Sequence, residues 1–185
     1  MINVTHATHM AVQELISLSY VDNARIDRMK SVLVADLSYN ETSDVVHKFI
    51  AHYFSNGIGD ALSEQCLERY NISVIFGDIP RMDKVYSSVE EVLDELLELV
   101  TDYQNALSKC IAIAVENEDR NISSDLLEFM RDYNQIVDQC ILMVDKIRLY
   151  KDNPSFDAHI KQHFFLLDGN LDLLGDLELD EEDDD

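Results

Sequence analysis

Apolar residues recur every three or four positions over four long stretches of the chain, which is the spacing of one helical face. The first stretch covers residues 8–37, although its polar segment Ser17–Asn23 could bend or split a helix. The second covers about 44–70 and contains Gly57 and Gly59, each of which costs a helix about 1 kcal/mol relative to alanine. These two stretches predict two long helices in the first half of the chain.

The other two stretches carry signals for where a helix begins or ends. Ser88 and Glu91 have the S-x-x-E spacing of a capping box, which predicts the start of a third helix. A polar break at 117–124 separates it from a fourth helix, which should stop before Pro154 because proline disfavours a helical residue before it. A short fifth helix is expected over 155–167. The pattern therefore predicts an all-α protein.

The connections between the predicted helices differ in length. Short polar turns at 38–44 and 117–124 join the first helix to the second and the third to the fourth. The long, non-periodic segment 71–86 joins the second to the third, and its Ile72–Phe76 could be mistaken for a strand but has no partner strand. A short, long, short order is the connectivity of a ferritin-like four-helix bundle, in which one crossover runs the length of the bundle. We predict this fold, with the short fifth helix and an acidic C-terminal tail.

The chain is strongly acidic, with a net charge of −23. Ten acidic residues follow Leu167 and no lysine or arginine does. We therefore divide the chain into a bundle domain, 1–167, and an acidic tail, 168–185, which we expect to be disordered. Because nucleic acids are polyanions, direct binding to DNA or RNA is disfavoured. Metal cations and basic protein surfaces are better partners for such a chain.

Several features favour a cytoplasmic location. No apolar run approaches the roughly 20 residues that a membrane span needs. The segment Met1–Met10 has neither the basic residues nor the apolar core of a secretory signal. Cys66, Cys110 and Cys140 are odd in number, widely spaced and surrounded by apolar residues, so we expect reduced core thiols.

Two segments have the spacing and turn chemistry of a known family. They are "SEQCLERY" (Ser63–Tyr70) and the stretch Ser87–Val144, which contains the hinge "AVENEDRNISSDLL". From about Val46 to Tyr150 the chain resembles the Dps proteins, the mini-ferritins of the ferritin-like superfamily. The resemblance implies a hollow homo-oligomer, typically of twelve subunits, that acts in stress response and oxidises ferrous iron with peroxide or oxygen.

The resemblance also implies an iron site shared between two subunits. The Asp and Glu ligands of the family fall on Glu64 and Glu68, whose i,i+4 spacing places both carboxylates on one helical face. Hard carboxylate oxygens suit iron. The family's second-helix histidine would fall on Phe49, and here His47 and His52 flank that position. Glu64, Glu68, His47 and His52 are therefore the candidate metal ligands, although the family's first-helix histidine motif is absent.

The acidic tail supports an alternative function. Leucines are interleaved with acids over Phe164–Asp180, and such a segment can fold onto a basic, grooved partner. The chain would then be a non-enzymatic helical regulator or adaptor on a ferritin-like fold, binding a protein through residues 164–185. The absent first-helix histidine favours this alternative, and the spacing of Glu64 and Glu68 favours the ferroxidase. No glycine-rich phosphate loop, G-x-S-x-G or zincin motif is present, so no catalytic residue is assigned.

Overall fold

The computed structural model describes residues 2–47, 62–64, 66–70, 72–73, 75 and 77–165, and all regular secondary structure in these residues is helical. The predicted all-α class is confirmed. Most of the predicted second helix, with Gly57, Gly59 and His52, lies outside the described residues, and so does the tail 168–185. None of the described helices combines the length and apolar character that crossing a membrane requires. The helical elements are α1 (His6–Ala35), α2 (Asn40–Val46), a π-helical segment (Cys66–Tyr70), α3 (Val89–Glu116), α4 (Arg120–Tyr150) and α5 (Phe156–Phe165).

The core forms where α3 packs against both α1 and α4, along the apolar faces that the spacing predicted. Tyr103 of α3 and Tyr133 of α4 meet there with their ring centroids 5.1 Å apart. The Tyr133 hydroxyl donates a hydrogen bond to the Val100 carbonyl at 2.9 Å. Each large apolar side chain buried here stabilises the fold by about 1.5–3 kcal/mol. Other large, fully buried side chains of the core are Ile16, Ile26, Met29, Leu33, Ile72, Leu93, Leu96 and Leu99.

Helix α1 is continuous, so its polar segment Ser17–Asn23 does not split it. The Ser19 hydroxyl donates to the Ile16 carbonyl at 2.6 Å, which satisfies this buried hydroxyl within the helix. Asp22, in the same segment, is buried with 1% of its surface exposed. The polar stretch is therefore part of the helix interface and not a break in the helix.

The turn after α1 is shorter than the sequence predicted. Ser38 has a left-handed φ of 62°, and α2 begins already at Asn40. The predicted turn at 38–44 is therefore wrong from Asn40 onward, since residues 40–44 are helical. The residue that precedes α2, Tyr39, makes no side-chain cap, so the start of this helix must be satisfied by another part of the chain.

Helix α2 is capped by a residue of α5. The Asp157 carboxylate accepts hydrogen bonds from the Glu41 N–H at 3.2 Å and from the N–H and the hydroxyl of Thr42, each at 2.9 Å. A seven-residue helix is too short to be stable by itself. It is held by this cap and by packing against α1 and α5.

Helix α3 begins close to the predicted capping box. The Ser88 hydroxyl accepts a hydrogen bond from the Glu91 N–H at 3.3 Å, as predicted. The return bond is shifted by one residue, because the Glu91 carboxylate accepts from the N–H of Ser87 at 2.8 Å and from its hydroxyl at 2.7 Å. The backbone hydrogen bond from Ser87 is the main cause that lowers the pKa of Glu91.

The break between α3 and α4 is shorter than predicted, because α4 begins already at Arg120. The Asp119 N–H donates to the Ala114 carbonyl at 2.9 Å, and the Glu118 N–H donates to the Val115 carbonyl at 3.1 Å. This pair of bonds is the Schellman motif, which needs a left-handed residue after the helix. Glu118 takes that conformation with a φ of 60°, although it is not glycine.

The segment that precedes α3 is attached to α1 along its described residues. Gln13 donates to the Ser73 carbonyl at 2.5 Å, and the Ser17 hydroxyl donates to the Ile75 carbonyl at 2.8 Å. Ile72 is fully buried. No described residue from 72 to 86 is in a strand, as predicted. We also expected the crossover to pack its apolar residues on the bundle, but Ile75, Ile79 and Val85 are exposed.

Candidate functional site

Glu64 and Glu68, the predicted carboxylate ligands, are both exposed. Glu64 ends the described helical fragment 62–64, and Glu68 lies in the π-helical segment. Short π-helical turns are rare and occur often at functional sites. Both carboxylates are therefore accessible from outside the bundle, and Glu68 lies on a stretch of backbone with unusual geometry.

The π-helical segment is fixed to α4 by one carboxylate. Asp125 accepts a hydrogen bond from the Tyr70 hydroxyl at 2.5 Å and pairs with the Arg69 guanidinium at 2.8 Å. Tyr70 is itself buried, and the Ile2 N–H donates to the Arg69 carbonyl at 2.9 Å. Glu68 thus belongs to a segment held from two sides.

The structure describes one of the two predicted histidine ligands. His47 follows α2 and is half-buried, and its Nε2 lies 3.8 Å from the Asp27 carboxylate of α1. Asp44 precedes it by three positions. His52 lies outside the described residues. Within the part of the chain that the structure describes, no three or more His, Cys, Asp or Glu residues come together in a way that could hold a metal ion.

A buried ion-pair network connects α1 with α3, and sequence reasoning did not single it out. Asp22 of α1 is 1% exposed and Glu95 of α3 is 9% exposed. Arg25 bridges the two carboxylates, at 3.2 Å from Asp22 and 3.5 Å from Glu95. Lys84, from the crossover, also pairs with Glu95. Two buried carboxylates are therefore balanced by two cations.

The two carboxyl groups of the network titrate differently. Burial, the larger influence, raises the pKa of Asp22 from its ordinary value to about 6, while the Arg25 charge lowers it and the Asp102 charge raises it. Burial also acts to raise the pKa of Glu95, but hydrogen bonds from Lys84 and other donors outweigh burial and leave this pKa lowered. The folded protein therefore favours the ionised form of Glu95, whereas burial opposes the ionisation of Asp22.

Tyr86 completes the network from the crossover. Its hydroxyl donates to Glu95, and burial followed by this contact raises the pKa of the Tyr86 phenol. The Lys84 ammonium lies 5.1 Å from the centroid of the Tyr86 ring, which adds a cation–π contact. The end of the crossover is therefore fixed to α3 by several polar contacts.

The signal for this network was present in the sequence. Asp22 lies four residues before the core residue Ile26, and Glu95 lies four residues before the core residue Leu99. A charged residue on an apolar helical face must be paired, because burying an isolated charge is costly. Such positions indicate a buried ion pair even before its partners are known.

Cys110 and Cys140 match the expectation of core thiols. Both are free and buried. Burial raises the pKa of each thiol to about 12. Since the thiolate is the reactive form, neither is suited to redox chemistry or metal binding.

The donor groups of the described residues do not form a ferritin-like di-metal centre inside one bundle. Such centres take an inward glutamate from each of two helices and a Glu-x-x-His motif from each of the other two. Asp22 and Glu95 are the buried carboxylates here, and both are already paired with cations. Asp44 and His47 have the spacing of such a motif with aspartate in place of glutamate. An iron site on the exposed Glu64 and Glu68 would need further ligands from elsewhere.

Comparison with known proteins places the chain in a fold class. Its structure is similar to that of a humanized archaeal ferritin, with a TM-score of 0.67 and 12% sequence identity, over 89% of this chain and 94% of that chain. The chain therefore has the ferritin-like helical bundle fold that the order of its connections predicted. No family model matches the sequence. None of the curated proteins with which it was compared matches it.

Proposed function

We propose that this protein handles iron as a Dps-like member of the ferritin-like proteins, binding ferrous iron as a substrate and oxidising it with peroxide or oxygen. The observation that carries the proposal is the exposed pair of Glu64, at the end of the fragment 62–64, and Glu68, in the anchored π-helical segment. Carboxylate oxygens are hard ligands that suit both oxidation states of iron. A ferritin-like bundle is a fold on which such carboxylates are built into metal sites.

The site would be shared between two copies of the chain. Glu64 and Glu68 are exposed, so a second copy can approach them and supply the ligands that one chain lacks. Of the two predicted histidine ligands, His47 is described and half-exposed and could contribute, and His52 remains a predicted ligand. A homo-oligomer is therefore part of the proposal.

The residues have simple roles in this reaction. The two carboxylates bind Fe(II) and stabilise Fe(III) more strongly, because a higher metal charge increases the attraction to anionic oxygens. Each iron gives up one electron, and hydrogen peroxide accepts two. The net charge of −23 attracts ferrous ions to the surface and opposes direct contact with DNA or RNA.

A second function is favoured by the buried network. Asp22 and Glu95 are neutralised by Arg25 and Lys84, which is the arrangement of a structural ion pair and not of free metal ligands. A non-enzymatic adaptor that binds a basic protein through residues 164–185 is consistent with this arrangement and with the acidic tail.

An iron titration distinguishes the two functions. The full chain is first sized by light scattering coupled to size exclusion, then loaded with Fe(II) without oxygen and mixed with peroxide. The iron proposal expects a large oligomer and oxidation well above the buffer rate. A monomer or dimer that oxidises iron no faster than buffer would leave the adaptor as the function.

Paired substitutions locate the site. Glu64→Gln with Glu68→Gln should lower the oxidation rate by about tenfold or more, because both carboxylate ligands are lost. Glu128→Gln with Asp132→Asn is the matched control, since these acids are also exposed and have i,i+4 spacing on α4. Equal rates in the two double variants would place the reaction elsewhere on the protein.

A further inference from the structure

A cleft of about 260 Å³ lies where α1, the end of the crossover and α3 meet. Four cationic side chains line it, from Arg25, Arg28, Arg81 and Lys84, together with the carboxylates of Asp83 and Glu95. The whole chain has only 14 lysines and arginines against 37 acids. A concentration of positive charge in so acidic a protein requires a specific explanation.

Internal pairing accounts for only part of this charge. Arg25 and Lys84 balance the buried Asp22 and Glu95. Arg81 pairs with Asp83 at 3.3 Å, but the two side chains are 88% and 72% exposed, so water competes for this contact. Exposed pairs of this kind contribute little to stability and exchange partners readily.

Arg28 is the unbalanced cation of the cleft. It pairs with no carboxylate among the described residues, and its closest polar contact is a long hydrogen bond of 3.4 Å to the Lys84 carbonyl. Its Nε is buried without a hydrogen-bond partner. Because Nε is enclosed by protein, an anion in the cleft would be met by the terminal N–H groups of the guanidinium.

The chemistry of the missing acceptor follows from these groups. A guanidinium offers parallel N–H donors that match the oxygens of a phosphate or carboxylate. Arg28 leaves the cleft with one positive charge in excess, and the exposed Arg81 can add a second guanidinium contact although Asp83 offsets its charge, which suits a small oxyanion. The volume is below the roughly 300–1,000 Å³ of pockets for larger organic ligands, which favours a small ion.

We propose that this cleft is a binding site for a small oxyanion of the phosphate class, held by Arg28 and Arg81. The site is separate from Glu64 and Glu68, and it does not depend on the iron proposal. The general field of the protein repels anions, so saturable binding must come from local groups.

Calorimetric titration of the metal-free full chain with inorganic phosphate, at low ionic strength, tests the proposal. The expected result is saturable binding with a dissociation constant of about 1 mM or tighter. Chloride at matched ionic strength should give no saturable heat. No saturable heat with phosphate, or the same heat with chloride, would overturn the proposal.

Three variants assign the binding to the cleft. Arg28→Gln should weaken phosphate binding by about tenfold or more. Arg28→Lys should weaken it by less, because lysine keeps the positive charge but lacks the paired N–H donors of the guanidinium. Arg131→Gln is the matched control, since Arg131 is exposed on α4 and the charge change is the same. Thermal unfolding checks that each variant is folded. Equal weakening in Arg28→Gln and Arg131→Gln, or no weakening in folded Arg28→Lys and Arg28→Gln, contradicts the assignment.

Discussion

Replacing Asp22 by asparagine should stabilise the protein at neutral pH, although it removes one half of a buried ion pair. Burial, which outweighs the favourable charge of Arg25, raises the pKa of Asp22 from 3.8 to about 6. A carboxyl with a raised pKa binds more protons in the folded state than in the unfolded state, so stability falls as the pH rises between the two values. Asparagine has nearly the same shape and does not ionise.

The size of the effect follows from the two pKa values of Asp22. The difference between 3.8 and about 6 corresponds to about 3 kcal/mol of unfolding free energy at pH 7. Roughly half of this penalty is already present at pH 5, so it grows by about 1 kcal/mol between pH 5 and pH 7. Both conditions lie above the sequence pI of 4.3, where net negative charge favours solubility.

Urea denaturation at a fixed protein concentration measures this difference through the loss of helical circular dichroism. The unfolding free energy of Asp22→Asn minus that of the wild type should be positive at pH 7 and smaller at pH 5 by about 1 kcal/mol. Asp138→Asn, at an exposed position of α4, should show no such dependence. If Asp22→Asn is less stable than the wild type by more than about 1 kcal/mol at pH 7, the Arg25 pair outweighs burial and the reasoning is wrong.

Three further substitutions test other parts of the structure by the same denaturation assay. Glu95→Gln should lower the unfolding free energy by about 1–3 kcal/mol at pH 7, because Lys84 loses its carboxylate partner. Since the pKa of Glu95 is lowered in the folded protein, this loss should shrink as the pH falls. A loss that is independent of pH would contradict the reasoning. Glu118→Gly should raise the unfolding free energy by as much as about 1 kcal/mol, because glycine adopts the left-handed conformation without strain. A lower unfolding free energy would mean that the Glu118 side chain makes an unrecognised contact. Tyr133→Phe should cost about 1 kcal/mol through its lost bond to Val100, and a neutral result would mean that water replaces this bond.

The long helices could be predicted from sequence because their signals are local. The apolar spacing of α3 and α4 coincides with the faces that are buried, and the serine before α3 caps it as expected. The early start of α2 could not be predicted in this way, since Asp157 supplies its cap from 115 positions away. The short hinge was missed for a different reason, because Glu118 adopts a conformation that glycine usually provides.

The candidate site was only partly predictable. Spacing identified Glu64 and Glu68 as a pair, but it could not decide whether they face the core or the solvent, and both are exposed. The buried pairing of Asp22 and Glu95 depends on how α1 lies against α3, which no local pattern specifies. Arg28 could not be identified from sequence for the same reason, because the fold brings together the residues that form the cleft around it.

The cap that Asp157 provides to α2 has a consequence for synthesis on the ribosome. The backbone donors of Glu41 and Thr42 must wait for a carboxylate that is translated 115 positions later. At about 5–20 residues per second, this interval is roughly 6–23 s. During that time α2 lacks its cap, so the segment around Thr42 stays accessible to chaperones and proteases until Asp157 has been synthesised.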